Sequence, residues 1–161
     1  MFRTLALTFA LGLALSAAPA CAETIPDIGM SPASVVSWLQ REGFQAKIAD
    51  QRDSGGYLYV ETSSDGVNWE VDFYDCDKSA AQNCRSLQFT AGWNGTYTLD
   101  LANRWNKDFR YAKAHINADG STIWVQQDVL LAKGMTISEL DENFDLWVDT
   151  IPDFSNHIAK K

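Results

Sequence analysis

The chain has 161 residues, of which 21 are Asp or Glu and 13 are Lys or Arg, so its formal net charge at pH 7 is −8. This length suits one domain, with or without a short targeting segment. The acidic balance argues against a nucleic-acid-binding protein, because such proteins neutralise phosphates with a basic surface.

The N-terminus has the pattern of a cleavable secretory signal peptide. Arg3 precedes an apolar, uncharged run over residues 5–18, which is shorter than the ~20 residues that a membrane-spanning helix needs. Ala20-Cys21-Ala22 then supplies the small residues that signal peptidase requires at its cleavage site. We therefore predict a signal peptide at residues 1–22, cleaved after Ala22, and a single mature domain at 23–161 that is periplasmic or secreted.

Two alternatives stay open at this N-terminus. The apolar run could remain as an uncleaved membrane anchor, or Cys21 could be lipidated as in bacterial lipoproteins. Against lipidation, Ala18 stands where lipoprotein processing expects a leucine, three positions before Cys21. No later run approaches membrane-spanning length, so we predict no transmembrane segment in the mature chain.

The apolar pattern of the mature chain predicts elements in the order α-β-β-β-β-α-β-β-α. Their bounds are a helix from Ser31-Pro32 to Gly43, strands at 44–50, 57–62, 67–73 and 87–91, a helix at 97–106, strands at 109–117 and 121–128, and a long helix from the capping box at 136–139 that Pro152 kinks or interrupts. Tight turns between strands favour an antiparallel sheet. The predicted fold class is α+β, a two-layer sandwich with three helices packed on one face of the sheet.

Cys76 and Cys84 are the two cysteines of the predicted mature chain. Two nearby cysteines in an oxidising compartment usually pair. A redox-active pair usually has Cys-X-X-Cys spacing and a stabilised thiolate, whereas Asp75 and Asp77 place negative charge on both sides of Cys76. We expect a structural disulfide between Cys76 and Cys84.

Few residues indicate catalysis. The two histidines, His115 and His157, are far apart in sequence, and no nucleophile, phosphate-loop or metal-ligand motif occurs. Glu70 and Asp72 share a strand face, a spacing that a pair of catalytic carboxylates could use and that any solvated strand also shows. We predict no enzymatic activity, cofactor or metal; the alternative is a small-molecule-binding or hydrolytic cell-envelope enzyme that uses this acidic strand face.

The sheet face opposite the helices is the predicted interaction face. Strand alternation places Tyr59, Tyr111, His115 and Trp124 there among polar side chains. Aromatic side chains on a polar background are typical of recognition surfaces and dimer interfaces, although a solvated sheet can carry them too. The predicted partner is an unknown protein or a second copy of the chain.

A dense motif follows in Asn103-Arg104-Trp105-Asn106 and Arg110-Tyr111-Ala112. We expect Trp105 to anchor the second helix in the core. Asn103 and Asn106 lie three residues apart on one helical face, where their amides could tie the end of the helix to the next strand. The motif is explained by structure better than by catalysis.

This motif, the Asp119-Gly120 turn, a strand ending at Asp128 and Gly134 before a Trp-bearing helix together resemble the YbjN family, over about residues 31–156. Members of that family are described as bacterial sensory transduction regulators. The resemblance implies a helix-flanked antiparallel sheet like that of type III secretion chaperones, and dimerisation; it supplies no catalytic residues to carry over. The signal peptide and cysteine pair favour an exported branch of the family. We therefore expect a non-catalytic periplasmic protein-binding, chaperone-like or regulatory domain.

Overall fold

The computed structural model describes residues 22–52, 56–77 and 82–160, which form one antiparallel sheet and three helices. The elements are α1 (Pro32–Arg41), β1 (Lys47–Ile48), β2 (Tyr59–Ser64), β3 (Val67–Cys76), β4 (Cys84–Asn94), α2 (Leu99–Asp108), β5 (Lys113–Ile116), β6 (Thr122–Leu130) and α3 (Ile137–Ala159). The predicted α+β class and element order are confirmed. The predicted signal peptide, apart from Ala22, lies outside the described residues.

Each helix begins at a side chain that accepts a hydrogen bond from the free backbone N–H groups of its first turn. Ser31 caps α1, Thr98 caps α2 and Thr136 caps α3. At α3, Glu139 also reaches back to the backbone N–H of Thr136, at 2.7 Å. The predicted capping box is therefore present.

Helix α3 runs without interruption through Pro152. A proline inside a helix removes one backbone hydrogen bond and costs about 3 kcal/mol. Packing offsets that cost here, because Trp147, Ile151 and Phe154 around it are all fully buried. Of the two effects predicted for Pro152, a kink or an interruption, the interruption is therefore absent. None of the helices in the described part of the chain combines the length and apolarity needed to cross a membrane.

The strands follow the order β1-β2-β3-β4-β6-β5, and every neighbouring pair is antiparallel. Asp65 and Gly66, with φ of 50° and 78°, make the tight turn between β2 and β3. Strand β5 begins at Lys113 rather than at the predicted residue 109. Ala112, with φ of 57°, interrupts the extended backbone just before that strand.

The helices cover one face of the sheet. Phe89 of β4 lies 6.5 Å from Trp38 of α1 and 5.8 Å from Trp147 of α3, measured between ring centroids. Helix α2 joins this layer through Trp105, whose ring meets that of Phe154 in α3 edge to face at 4.8 Å. Aromatic contacts of this kind add to the free energy gained from burial.

Strand β3 shows most clearly how the sequence pattern assigns the two faces. Trp69, Val71 and Phe73 are at most 5% exposed and point toward the helices, as predicted. Glu70 and Asp72 alternate with them and therefore lie on the opposite face. One face of the sheet is thus the core, and none of the helices in the described residues covers the other face.

Cys76 and Cys84 form a disulfide. They are direct register partners where β3 ends and β4 begins, so the bond closes the loop between the two strands. Beside it, the Arg85 guanidinium donates two hydrogen bonds of 2.8 Å to the Asp75 carboxylate and holds the pKa of that carboxyl below its usual value. The expected disulfide is therefore present; loop residues 78–81 lie outside the described part.

Candidate functional site

The sheet face without helices is here called the open face. Strand alternation and register assign the residues that lie on it. They are Lys47 on β1; Tyr59, Glu61 and Ser63 on β2; Asn68, Glu70, Asp72 and Tyr74 on β3; Ser86, Gln88, Thr90 and Gly92 on β4; Lys113 and His115 on β5; and Trp124, Gln126, Asp128 and Leu130 on β6. Most of these side chains are polar, with aromatic residues among them.

The middle of the open face is a connected hydrogen-bond network. Gln88, only 8% exposed, donates through Nε2 to Asp128 at 2.5 Å and accepts at Oε1 from Gln126 at 2.8 Å. Thr90, 4% exposed, donates from its hydroxyl to Asp72 at 2.9 Å. Satisfied polar side chains at such burial hold one another in fixed rotamers. The centre of the face is therefore preorganised.

Two ion pairs stand on either side of this network. On the β5 side, Lys113 Nζ lies 2.8 Å from the Asp128 carboxylate. Burial by itself raises the pKa of Asp128, but the hydrogen bonds from Lys113 and Gln88, with the charge of Lys113, outweigh burial and lower it. On the β1 side, Lys47 Nζ lies 3.0 Å from Glu61 and has a raised pKa because Glu61 accepts its hydrogen bond.

A groove of about 870 Å³ lies between the segment 43–47 and the open face. Carboxylates from two strands, Glu61 and Glu70, line it together with the aromatic side chains of Tyr59 and Trp124. Lys47 lines it too, so one concave site combines two carboxylates, one ammonium group and aromatic rings.

The Trp124 ring rests on the backbone of β4 at Gly92, its register partner. A Cβ atom at Gly92 would come within 2.5 Å of the ring, so only glycine leaves room for this position of Trp124. Trp124 is half-buried as a result, and part of its surface still faces the groove. The glycine thus sets the shape of one end of the groove.

The pKa of the Tyr59 hydroxyl reflects its burial and the negative charges near it. Burial is the main reason that the pKa of its hydroxyl is raised, and the nearby carboxylates of Glu61, Glu70 and Asp72 raise it further. A negative potential disfavours the phenolate and favours a cation at the same place. Lys47 lines the groove as well as Glu61 and Glu70, so negative side chains outnumber positive ones in its lining.

Three of the four side chains predicted for the interaction face lie on the open face. Tyr59 and Trp124 line the groove, whereas His115 lies beside Trp124 on β5 and outside the groove. Tyr111 precedes β5 in a bend, where the Arg110 guanidinium lies 5.4 Å from the centre of its ring. The strand alternation from which its place on the face was inferred does not extend to it, because of the backbone turn at Ala112.

The two histidines have different surroundings. His115 is exposed, and its pKa is lowered by partial burial of its ring and by the charge of Lys113. His157 is half-buried, and its Nε2 forms a 2.9 Å hydrogen bond with the backbone carbonyl of Leu101 while its ring stacks on Phe154. The structure gives His157 a role in joining α3 to α2.

The family motif is mainly structural. Trp105 is 1% exposed and its indole N–H donates to the Ala112 carbonyl at 3.4 Å. The amide of Asn106 makes two hydrogen bonds to the backbone of Ala114 in β5. Asn103 is exposed on the same helix. Trp105 therefore fills the core, and Asn106 ties the end of α2 to the sheet.

The acidic residues considered for catalysis separate into different environments. Glu70 lines the groove, whereas Asp72 accepts its hydrogen bond from Thr90 inside the polar network. Across residues 22–52, 56–77 and 82–160, no three His, Cys, Asp or Glu side chains are grouped so that they could hold a metal ion.

Sequence reasoning located the open face but missed the groove and its charged wall. Glu61 and Lys47 were not singled out, because they meet only when the two-residue strand β1 pairs with β2. The alternation of Tyr59 and Glu61 on β2 was the available signal, and the pattern around it was ambiguous. No local signal marked the segment 43–47 as the other side of a groove.

Comparison with known proteins adds a family assignment. The model of the YbjN family, described as "Putative bacterial sensory transduction regulator", matches residues 31–160, which is nearly all of the described chain. No curated protein matches the sequence. The residues matched include the polar network, the groove and the Trp105–Asn106 motif, so the resemblance noted from the motif is confirmed. The chain belongs to the YbjN family.

Proposed function

We propose that this YbjN domain is a non-catalytic, chaperone-like or regulatory binding protein of the periplasm that holds a protein partner on its open face. Membership of the family supports a regulatory or binding role. The observation that carries the proposal is the groove of about 870 Å³ with aromatic and charged lining residues, which reaches the polar network at buried Thr90.

The organisation of the open face favours binding over simple solvation. Binding loses affinity when side chains must be ordered on contact, and a face whose side chains are already fixed avoids much of that cost. Gln88 and Thr90 are buried and hydrogen-bonded in the free domain. Tyr59 and Trp124 beside them are half-buried, rigid aromatic residues of the type enriched at interfaces.

Export to the periplasm is the second part of the proposal. It is supported by the signal-peptide pattern of residues 1–22 and by the disulfide between Cys76 and Cys84. Disulfides persist in oxidising compartments and are rare in the cytosol.

Serine replacement on the open face tests the proposal. The tagged mature domain, and its Tyr59→Ser and Trp124→Ser variants, are crosslinked in the cell envelope and the captured proteins identified by mass spectrometry. Leu99→Ser is the matched control, because Leu99 is 72% exposed on α2, away from the open face. We expect a protein captured by the wild-type and the control to be lost from the open-face variants.

Folding and self-association are measured on the same variants. Circular dichroism melting shows whether each variant is folded, and light scattering gives its oligomeric state. If folded Tyr59→Ser and Trp124→Ser proteins capture the same partners as the wild-type and keep its oligomeric state, the open face is not the binding surface.

The groove also supports a second candidate function, because its volume falls within the ~300–1,000 Å³ of small-molecule sites. A small-molecule-binding or hydrolytic envelope enzyme would use Glu70, which lines this groove. A panel of hydrolase substrates on the purified domain separates the two candidates. Activity that Glu70→Gln abolishes would replace the protein-binding proposal with this one.

A further inference from the structure

Two glutamates stand directly opposite each other on the open face. Glu61 of β2 and Glu70 of β3 are register partners, and both line the groove. Like charges in this position destabilise a sheet when no cation lies between or beside them. Lys47 approaches Glu61 from the β1 side of the sheet at 3.0 Å. Lys47 also lines the groove, so two carboxylates and one ammonium group leave its lining with a net negative charge.

The aromatic residues favour one kind of cation. Tyr59 and Trp124 present ring surface to the groove, and the Trp124 ring is held in place over Gly92. A guanidinium group stacks on aromatic faces and has five N–H donors in a plane, so it can bridge two carboxylates at once. An ammonium group is a compact point charge without this planar array of donors, and it stacks less well on aromatic rings.

We propose that this groove receives the guanidinium group of an arginine side chain carried by the partner protein. The inference rests on the proposed function, and it adds the chemistry by which the open face recognises its partner. Charge complementarity is its basis: the Glu61–Glu70 pair supplies the negative charge, and Tyr59 and Trp124 supply surfaces for stacking. The acidic overall composition of the chain acts in the same direction.

A pair of short peptides tests this on the unmodified domain. Ac-Gly-Leu-Arg-Leu-Gly-NH2 and its citrulline counterpart have nearly the same shape, and only the first carries a positive charge. Each is titrated into ¹⁵N-labelled protein while the indole N–H signal of Trp124, assigned by its absence from Trp124→Phe, is followed. We expect the arginine peptide to shift this signal and to bind at least fivefold more tightly than the citrulline peptide.

Charge removal provides the second arm of the test. Glu70→Gln should weaken binding of the arginine peptide at least fivefold, and Glu61→Gln should have an effect in the same direction. Glu142→Gln is the matched control, because it makes the same change of charge at an exposed position of α3 and should leave binding unchanged. An equal loss of affinity for the arginine peptide in all three variants would mean that the peptide is attracted only by the net charge of the protein, which would overturn the proposal.

Failure of this inference differs from failure of the proposed function. If the two peptides bind equally, or neither shifts the Trp124 signal, the groove does not recognise arginine. In that case, loss of capture in the Tyr59→Ser and Trp124→Ser variants would still show that the open face binds a partner. If those variants capture normally, the proposed function is wrong whatever the peptides show.

Discussion

The side chain of Asn106 acts toward Ala114 as a neighbouring strand would. The backbone N–H of Ala114 donates to Asn106 Oδ1 at 2.7 Å, and its carbonyl accepts from Asn106 Nδ2 at 3.0 Å. Because β5 is the last strand of the sheet, its outer backbone groups would otherwise be open to another chain. One amide at the end of α2 therefore fastens the helix and closes this edge of the sheet.

Replacing Asn106 by alanine should lower the free energy of unfolding by about 1–3 kcal/mol, since it leaves two backbone groups of an edge strand without partners. Urea unfolding followed by circular dichroism measures the change. Asn103→Ala is the control, because Asn103 is exposed on the same helix and should cost less than about 0.5 kcal/mol. Equal stability of the Asn106→Ala protein and the wild-type would show that this amide does not fasten the edge.

The Asp128 carboxylate should make the free energy of unfolding depend on pH in the acidic range. Hydrogen bonds from Lys113 and Gln88 lower its folded pKa below the ordinary value of 3.8. The unfolded chain therefore binds the proton more readily, and the contribution of Asp128 is present above about pH 4 and lost as the pH falls through the folded pKa. Asp128→Asn should flatten the decrease in stability below pH 4.

Urea unfolding midpoints between pH 7 and pH 2.5 measure this effect. The side chain of Asp128 is 58% exposed, so solvent screens its pairing with Lys113 and the difference in slope should be modest. Glu142→Gln serves as the control at an exposed site of α3. An acid slope that is the same in Asp128→Asn and the wild-type would contradict the assignment.

Much of this fold could be predicted because its signals are local. The alternation around Trp69 in β3 and the capping box at Thr136 each depend on a few adjacent residues, and both were correct. The late start of β5, at Lys113, follows from the positive φ angle of Ala112, which no apolar pattern encodes. The charged side of the groove could not be predicted in this way, because Lys47 and Glu61 become neighbours only through the pairing of β1 with β2.

Gly92→Ala tests the shape of the groove. Its new Cβ atom would lie 2.5 Å from the Trp124 ring, so the ring must move, and we expect a loss of about 1–3 kcal/mol together with a shifted Trp124 indole signal. Removing the Trp124 ring should relieve this steric overlap. The penalty of Gly92→Ala should therefore be smaller in a Trp124→Ser background, and equal penalties in both backgrounds would show that the two residues do not interact.

The intact mass of the protein isolated from its own envelope tests export and the disulfide together. We expect a chain that begins at Glu23 and is two hydrogens lighter than its reduced mass, because Cys76 and Cys84 are joined. A start at an acylated Cys21 would mean a membrane-tethered lipoprotein. A mass that includes residues 1–22 would contradict cleavage of the predicted signal peptide.

The most direct test of the binding role is a photoreactive amino acid placed at position 124, on the open face, and separately at position 99, on exposed α2. Each protein is irradiated in the cell envelope, and crosslinked products are separated and sequenced. The open-face account predicts one defined product, either with another protein or with a second copy of the chain, from position 124 and none from position 99. The same products from both positions, or none from position 124, would contradict it.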